Sequence, residues 1–237
     1  MAEPPAKLEV VERFFSGTGS SYDKIVVLGT CGLDRYWKRL LLARIPQRPA
    51  RIVDQACGTG IVTIEIARRY PDCRVTGVEL REEYLRYARD KAQVLGLRNV
   101  DFTLGRAEDV VVDGPCDCIT SSYLAKYAEL PLLAQNCARM LRPGGLIIAH
   151  DFTYPSNRVF RSIWLMYFQV LRWVGKRAFP EWRTVFDELP SFLRQTRWVD
   201  GLAAALRENG FCDVRAESLS FGTAAIVTAR KPLDPSR

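Results

Sequence analysis

Two glycines that follow a short hydrophobic stretch are the clearest chemical feature of the chain. Gly58 and Gly60 stand in the segment 52–60, whose sequence is IVDQACGTG. We predict that a strand ends at Asp54 and that a helix begins at the glycines, which brings backbone N–H groups and the positive end of a helix to the carboxyl edge of the strand. Because glycine lets a ligand approach the backbone closely, this turn is predicted to bind one.

An acidic residue at the end of the next predicted strand extends the pattern. Glu79 lies 25 residues after Asp54, where a carboxylate can accept hydrogen bonds from both hydroxyls of a ribose. Either carboxylate taken by itself could be a solvated or capping charge, and the combination with the glycines is the specific signal. The dinucleotide fingerprint needs glycine or alanine at position 63, where the chain has Thr63, so the turn is a poor match for NAD.

A regular alternation of strands and helices must position these residues. The predicted strands are 51–54, 74–78, 99–104, 116–121 and 145–150. The predicted helices between them are 59–69, 81–95 and 130–141. This alternation indicates right-handed crossovers and a parallel sheet that is covered by helices on both faces.

Segments outside this alternation are predicted to be mostly helical. Apolar residues recur at helical spacing in 7–15, 33–45, 157–177 and 198–209. A break rich in Ser, Gly and Thr spans 16–21. Two β-like segments near the end, 211–217 and 220–229, have so short a link that they must run antiparallel. The tail 231–237 is expected to be disordered.

The composition is that of an ordinary soluble globular protein. The 237 residues are 48% hydrophobic and 26% charged, which suffices for one domain with a full core. No stretch approaches the ~18–20 apolar residues that span a bilayer, and the start lacks a signal-peptide pattern, so a cytoplasmic protein is expected. The seven cysteines lack zinc spacing, and no metal site is predicted. The net charge of +7 fits binding to nucleic acid, attraction to an anionic membrane or simple solubility.

Motifs throughout the chain resemble those of class I S-adenosylmethionine-dependent methyltransferases. Three of them, in the correct order, are DQACGTG at 54–60, VTGVE at 75–79 and LRPGG at 141–145. Outside these, the chain is similar to the UbiE-type ubiquinone/menaquinone C-methyltransferases, through SYD at 21–23, YWKR at 36–39 and LSFGTAA at 219–225. The resemblance therefore extends over nearly the whole chain.

The resemblance implies both a fold and a cofactor. The fold is α/β, with a Rossmann-like seven-stranded sheet that is mostly parallel, has one antiparallel strand and the order 3-2-1-4-5-7-6, and carries helices on both faces. The cofactor is S-adenosyl-L-methionine, which becomes S-adenosyl-L-homocysteine. The implied cofactor-binding residues are Tyr22, Asp54, Ala56, Cys57, Gly58, Gly60, Glu79, Leu80, Arg106, Ala107, Glu108 and Ser121.

The same resemblance gives roles to some of these residues and divides the chain. Asp54, Gly58 and Gly60 are expected at the aminoacyl end of the cofactor, Glu79 at its ribose and Leu80 at its adenine. The expected division is a helical N-terminal cap at 1–50, a cofactor-binding core at 51–155, a helical aromatic lid or acceptor-site insertion at 156–197, and a C-terminal helix and hairpin that complete the sheet at 198–231.

Two positions depart from the family pattern. Arg106 stands where many members have Asp or Asn to accept a hydrogen bond from the adenine amine, and arginine offers donors only, so Glu108, the backbone or stacking must take over. Quinone methyltransferases of this type usually carry Gly-Leu-Arg-Asn after the fourth strand, where this chain has LAKY at 124–127. A related aromatic or polyketide-like acceptor is therefore an alternative.

Methyl transfer from a sulfonium mainly requires that the acceptor atom be held in line in a dry pocket. For methylation of a quinol carbon, a base that removes the phenolic proton raises electron density at the attacking carbon. His150, the single histidine, and Asp151 are predicted to follow the fifth strand at the ligand-binding edge, and Tyr123 and Lys126 follow the fourth. These four are the candidate catalytic residues, although a lone histidine at a strand end is more often a packing or hydrogen-bonding residue.

The aromatic run 158–174 has two interpretations. It could be a lid over a greasy small-molecule acceptor such as a lipophilic quinol, with flanking arginines at lipid phosphates and a peripheral contact with a membrane. It could instead be a core helix or the surface of a homodimer. The alternatives are an O- or N-methyltransferase of a natural product or lipid, an RNA methyltransferase and a non-catalytic scaffold with the cofactor fold. No nucleic-acid partner is expected, because the arginines are dispersed and no RNA-binding module is visible.

Overall fold

A seven-stranded sheet forms the centre of the computed structural model, which describes residues 7–233. Its strands are β1 (Arg51–Gln55), β2 (Arg74–Glu79), β3 (Val100–Leu104), β4 (Cys116–Ser122), β5 (Leu141–Phe152), β6 (Cys212–Leu219) and β7 (Ala224–Arg230). Across the sheet their order is β3-β2-β1-β4-β5-β7-β6. Strands β1 to β5 pair in parallel, and β7 pairs antiparallel with both β5 and β6. The predicted fold class and strand order are confirmed.

Helices cover the sheet and form a layer above its carboxyl edge. They are α1 (Lys7–Phe15), α2 (Tyr22–Leu28), α3 (Leu33–Leu42), α4 (Ile61–Arg69), α5 (Glu82–Val94), α6 (Leu130–Met140), α7 (Arg158–Ala178), α8 (Arg183–Gln195) and α9 (Trp198–Glu208). Short 3-10 turns occur at Pro180–Trp182 and Ser220–Gly222. No helix within residues 7–233 is both long and apolar enough to cross a bilayer.

Most predicted elements lie within a few residues of the observed ones, with three differences. Helix α2 follows the break at 16–21 and was not predicted, because seven residues are too few to show a helical period. Helix α8 was not predicted as a separate element, and it contains Pro190. Of the predicted disordered tail, 231–233 has no helix or strand, and 234–237 lies outside the described residues.

The prediction that His150 and Asp151 follow the fifth strand was wrong. Both residues lie inside β5, which continues to Phe152. The strand is this long because β7 keeps pairing with it, His150 opposite Ile226 and Asp151 opposite Ala225. Their side chains are fully buried as a result.

Three groups of buried apolar side chains hold the layers together. The first joins α6 and α9 to one face of the sheet, with Ile119 and Leu206 at its centre. The second joins α3 and α4 to the opposite face, around Leu41 and Ile66. The third lies outside the sheet, where α1, α2, α7 and α8 meet above the carboxyl ends of the strands. This last group forms the wall of the candidate site.

Candidate functional site

The turn between β1 and α4 has the backbone that its glycines permit. Gly58 and Gly60 adopt left-handed conformations with φ of 57° and 82°, and Gly60 is the N-cap residue of α4. A Cβ atom on Gly60 would lie 3.0 Å from the Cβ of Ala88, so a larger residue there would strain the turn and crowd α5. The N–H of Cys57 donates to the carbonyl of Val78, which joins the turn to β2.

Glu79 holds this turn from the end of β2. One carboxylate oxygen accepts a hydrogen bond of 2.9 Å from the N–H of Gly58, and the other accepts one of 3.0 Å from the N–H of Arg81. Burial raises the pKa of Glu79, although these amides and the Arg81 guanidinium oppose the rise. Each oxygen keeps a second lone pair, so the carboxylate can still accept hydrogen bonds from a ligand.

Glu79 and the turn border a cavity of about 100 Å³, which we call the glycine-turn cavity. Its further walls include Tyr22, Ala56, Gly58, Leu80, Tyr84, Arg106, Ala107, Glu108, Tyr123 and Tyr127. The Arg106 guanidinium lies 3.7 Å from the Glu108 carboxylate, which also accepts a hydrogen bond from the N–H of Glu129. The predicted adenine residues are thus brought together at one end of the cavity.

Asp54 lies beneath the turn and is 1% exposed. Its carboxylate accepts hydrogen bonds of 2.6 Å from the hydroxyl of Thr63 and 2.7 Å from that of Thr120. Burial raises the pKa of Asp54 to about 6, even though both hydroxyls and Lys38 lower it. Thr63, which does not fit the dinucleotide motif, thus donates a hydrogen bond to the acidic residue below the turn.

A small cavity of about 20 Å³ lies between Asp54 and α3. It is bordered by Tyr22, Lys38, Asp54, Ala56, Cys57, Ile61, Val62, Ser122 and Tyr123, and we call it the Lys38 cavity. The Lys38 ammonium lies 2.8 Å from Asp34, and this ion pair is almost fully buried. Sequence reasoning missed Lys38 as a site residue. The sequence did contain a signal for it. Asp34 and Lys38 are four residues apart on α3, which puts a charged pair on the same helix face as the apolar Trp37.

A third and larger cavity of about 190 Å³ lies between the sheet edge and the helices α2, α7 and α8. Nearly half of its lining residues are aromatic, and we call it the aromatic cavity; its rings include Tyr22, Trp37, Tyr123, Tyr127, Phe152, Trp164, Phe168 and Trp182. Tyr22 and Tyr123 border all three cavities. The three cavities therefore meet at this pair of tyrosines.

Lys126 carries a charge into the aromatic cavity. Its ammonium lies 2.5 Å from the Asp151 carboxylate, and both side chains are buried. The rings of Tyr123, Tyr127 and Phe152 surround the ammonium, with centroids between 4.4 and 5.5 Å away. Burial lowers the pKa of Lys126 and raises that of Asp151, and the pairing of the two opposes both shifts.

His150 lies behind this wall. Its Nδ1 atom is 3.0 Å from the Ser122 hydroxyl, and its Nε2 atom has no hydrogen-bond partner within residues 7–233. Burial, helped by the nearby Lys38 and Lys126 charges, lowers the pKa of His150 well below its ordinary value, so the ring is neutral. Four predicted site residues border none of the three cavities, namely Gly60, Ser121, His150 and Asp151.

A family model described as the ubiE/COQ5 methyltransferase family matches residues 5–231. The chain belongs to this family. It is an S-adenosylmethionine-dependent methyltransferase, as the motif resemblance predicted.

Curated relatives agree with this assignment over their full length. The ubiE/COQ5 family member described here is 31% identical over 231 residues to a demethylmenaquinone methyltransferase of Roseiflexus castenholzii, with 96% of each chain covered. It is 24% identical over 241 residues to a demethylmenaquinone methyltransferase of Staphylococcus aureus strain JH9, with 100% of this chain and 99% of the other covered.

Solved structures show the same fold. An O-methyltransferase family protein from Burkholderia thailandensis matches with a TM-score of 0.67 at 16% identity, covering 93% of this chain and 62% of the other. The likeness concerns the fold alone.

Tyr84 is a further residue of the candidate site that was not predicted from the sequence. Tyr84, on α5, borders the glycine-turn cavity, and its hydroxyl lies 2.6 Å from that of Thr18 in the segment before α2. Asp23 of α2 accepts hydrogen bonds from the Thr59 hydroxyl and the Lys91 ammonium, each 2.5 Å long. The segment before β1 is thereby fixed against the glycine turn and α5.

Proposed function

We propose that this methyltransferase methylates a ring carbon of a quinone-like or phenolic small molecule, and that the acceptor is a lipophilic quinol of the ubiquinone/menaquinone type. The observation that carries the proposal is the aromatic cavity, which meets the glycine-turn cavity at Tyr22 and Tyr123. A planar aromatic acceptor fits a pocket lined by rings better than a polar one does. The names of both curated relatives support a quinone substrate.

The residues of the glycine-turn cavity fit S-adenosylmethionine. We assign the ribose to Glu79, which keeps free lone pairs beside the turn, and the adenine to Leu80 and the segment 106–108. The aminoacyl end then belongs at the Lys38 cavity, where Lys38 offers a cation to its carboxylate. The chemistry that S-adenosylmethionine supplies is an electrophilic methyl group on a positively charged sulfur.

On the acceptor side, we assign the main role to Lys126. Its ammonium borders the aromatic cavity and donates hydrogen bonds, so it can hold an acceptor oxygen and stabilise the phenolate form. Once its hydroxyl proton has passed to solvent water, the phenolate pushes electron density onto its ring carbons, which is what carbon methylation needs. The new carbon–methyl bond forms as the sulfur–methyl bond breaks, and the methylated ring carbon then loses its proton to water. The rings around Lys126 exclude water and strengthen this electrostatic effect.

The other three candidate catalytic residues take different parts in this proposal. Asp151 is a positioning residue, because it borders no cavity and reaches the acceptor through Lys126. Tyr123 contacts the acceptor through its ring, since its hydroxyl is already bonded to Asp34. His150, neutral and behind Tyr123, supports the wall through its contact with that ring, with centroids 5.0 Å apart.

A turnover screen tests the proposal. The purified protein is incubated with methyl-labelled S-adenosylmethionine and a panel of naphthoquinols, benzoquinols and simple phenols, and products are located by mass spectrometry and NMR. We expect a new carbon–methyl bond on a quinol ring. An oxygen- or nitrogen-bound methyl group would establish the alternative acceptor class, which the Lys126-Tyr127 departure from the Arg-Asn pattern favours. The proposal would be contradicted if none of the quinols and phenols gave a labelled product.

The location of the protein is part of the same proposal. We place it in the cytoplasm, in contact with the membrane that holds its acceptor.

A further inference from the structure

Helix α7 has a continuous apolar stripe on its outer side. Its members are Val159, Ile163, Met166, Val170 and Trp173, which recur at spacings of four and three residues. Between 52% and 68% of each side chain is exposed to solvent. An exposed stripe of this length on a protein surface marks a site of association, because water solvates it poorly.

A strained turn extends the stripe beyond the start of α7. Phe221 lies in the turn between β6 and β7 with a φ of 59°, in the left-handed region that a bulky residue adopts at a cost. Its ring is 71% exposed and stacks on Phe160 with centroids 4.1 Å apart. Trp173 lies 13 residues after Phe160, or about 20 Å along the helix, so exposed aromatic rings stand at both ends of the stripe.

The inner side of the same helix lines the aromatic cavity, through Trp164, Tyr167 and Phe168. The Tyr167 hydroxyl donates a hydrogen bond of 2.9 Å to the carbonyl of Leu28. The side chain of Leu28 is 57% exposed, and the Leu33 side chain, which borders the cavity, is 39% exposed. The rim of the acceptor cavity is therefore as apolar as the stripe beside it.

The charge of α7 indicates which kind of partner binds the apolar stripe. Residues 158–178 contain five cations and no acidic residue. Asp187 of α8 pairs with both Arg172 and Lys176, at 2.7 and 2.8 Å. The remaining Arg158, Arg161 and Arg177 have no carboxylate within 4.0 Å among residues 7–233.

These charges favour an anionic surface over a second copy of the chain. Pairing two copies of α7, in either direction, would bring cationic helix ends together, whereas phosphate groups of an acidic bilayer would neutralise them. An apolar stripe flanked by arginines is the pattern of a helix that lies in the interface of a membrane.

We propose that the outer face of α7, together with Phe221, docks this methyltransferase on an anionic lipid bilayer, and that a lipophilic acceptor enters the aromatic cavity between α7 and the segment 28–33. The docking surface stands on its own geometry. The entry route rests on the proposed function, since it requires an acceptor with a lipid tail.

Vesicle flotation of the full chain tests the docking surface. Vesicles of phosphatidylcholine alone are compared with vesicles of equimolar phosphatidylcholine and phosphatidylglycerol, without acceptor or cofactor. We expect binding to the anionic vesicles, and Val170→Glu to weaken it by about tenfold because a charge replaces a lipid-facing side chain. The matched control is Val94→Glu, at an exposed valine on α5, which should bind like the wild type.

Tryptophan fluorescence gives a second readout that does not depend on a charge change. Trp173 is 68% exposed, whereas Trp37, Trp182 and Trp198 are 2–3% exposed. We expect a blue shift of the emission when anionic vesicles are added, and its loss in Trp173→Phe. Val170→Glu and Trp173→Phe should both keep the melting temperature of the wild type and its turnover of a short-tailed, water-soluble quinol, because neither residue lines a cavity.

Three outcomes would overturn the docking proposal. They are an absence of binding to anionic vesicles, equal binding by Val170→Glu and Val94→Glu, and a wild-type dimer in sedimentation that Val170→Glu dissociates into monomers. These outcomes would leave the methyl-transfer proposal intact. Conversely, vesicle binding without methylation of any quinol would contradict the proposed function and leave the docking surface standing.

Discussion

The hydroxyl of Tyr123 donates a hydrogen bond of 2.8 Å to Asp34, which joins the segment after β4 to helix α3 outside the sheet. Asp34 also pairs with Lys38, so the cap, the Lys38 cavity and the aromatic cavity share one buried polar cluster. Burial and the nearby Asp34 charge raise the pKa of Tyr123 well above its ordinary value. Tyr123 is therefore protonated at neutral pH and does not serve as a base there.

Tyr123→Phe tests the inference that the Tyr123 hydroxyl does not act as a base. We expect the free energy of unfolding to fall by about 1–2 kcal/mol, because Asp34 loses a buried donor but keeps Lys38. Turnover should stay within about tenfold of the wild type, since the stacked ring at the acceptor remains. Urea denaturation and steady-state kinetics measure the two effects, and a turnover loss of several orders of magnitude at unchanged fold would make the hydroxyl catalytic after all.

Lys126→Met, unlike Tyr123→Phe, should reduce turnover strongly. Turnover is expected to fall by about a hundredfold or more, because the acceptor oxygen loses its cation. The fold is also expected to lose about 3 kcal/mol, because the buried Asp151 keeps two backbone N–H donors but loses its counter-ion.

The double variant Lys126→Met/Asp151→Asn separates these effects. It should recover most of the stability, because no unpaired charge remains, while turnover stays low. Binding of S-adenosylhomocysteine, followed by calorimetry, should be unchanged in both variants. Recovered turnover in the double variant would show that Lys126 acts through stability alone.

Asp54 gives a pH dependence with a definite sign. Its pKa is raised from 3.8 to about 6 in the fold, so protonation is easier in the folded than in the unfolded chain. Its contribution to stability is therefore complete below pH 3.8 and is lost as the pH rises through 6. By linkage this loss amounts to about 3 kcal/mol.

Asp54→Asn removes that titration. The stability difference between wild type and variant, measured by denaturation at several values between pH 4 and 7, should shift in favour of the variant as the pH rises. Taking the difference cancels the other titrating groups. A difference that is flat across this range would mean that Asp54 titrates normally.

The assignment of Lys38 to the aminoacyl end of the cofactor can be tested with a truncated ligand. Lys38→Met should weaken binding of S-adenosylhomocysteine by about tenfold, which corresponds to one charge-assisted hydrogen bond. Methylthioadenosine lacks the aminoacyl carboxylate and should bind the variant and the wild type alike. Equal weakening for both ligands in calorimetry would mean that the substitution disturbs the site as a whole.

Glu79→Gln should weaken binding of S-adenosylhomocysteine by about tenfold or more, because the amide cannot accept hydrogen bonds on both of its atoms. The control is Glu82→Gln, three residues further along, whose side chain is 59% exposed and pairs with Arg89. This control should bind the nucleoside as the wild type does. Comparable losses in the two variants would contradict the role given to Glu79.

The glycine turn and its acidic partner Glu79 were largely predictable from the sequence. Local rules govern them, since a hydrophobic strand, two glycines and an acidic residue at the next strand end fix both the turn and its partner. The order of the sheet followed from the resemblance. The mismatch with the dinucleotide motif at Thr63 was visible in the sequence, but the hydrogen bond from the Thr63 hydroxyl to Asp54 required the three-dimensional arrangement.

The acceptor end was less predictable, because its residues come together over long distances in the chain. Lys126 and Asp151 were both named, yet their ion pair depends on the adjacent ends of β4 and β5. His150 was misplaced because strand length depends on the pairing of β7, which no local pattern encodes. Lys38 was overlooked since a lysine on an amphipathic helix is ordinarily a surface residue.

The walls of the aromatic cavity come mostly from helices outside the sheet, whereas the glycine turn and Glu79 belong to the first two strands and the turn between β1 and α4. Under the proposed function, most of the acceptor wall therefore comes from helices outside the sheet, whereas the donor site combines the glycine turn and Glu79 with Lys38 of α3. We expect that replacing the segment that contains α7 and α8 by that of a relative gives a hybrid enzyme with the relative's preference for ring size and tail and an unchanged affinity for the methyl donor.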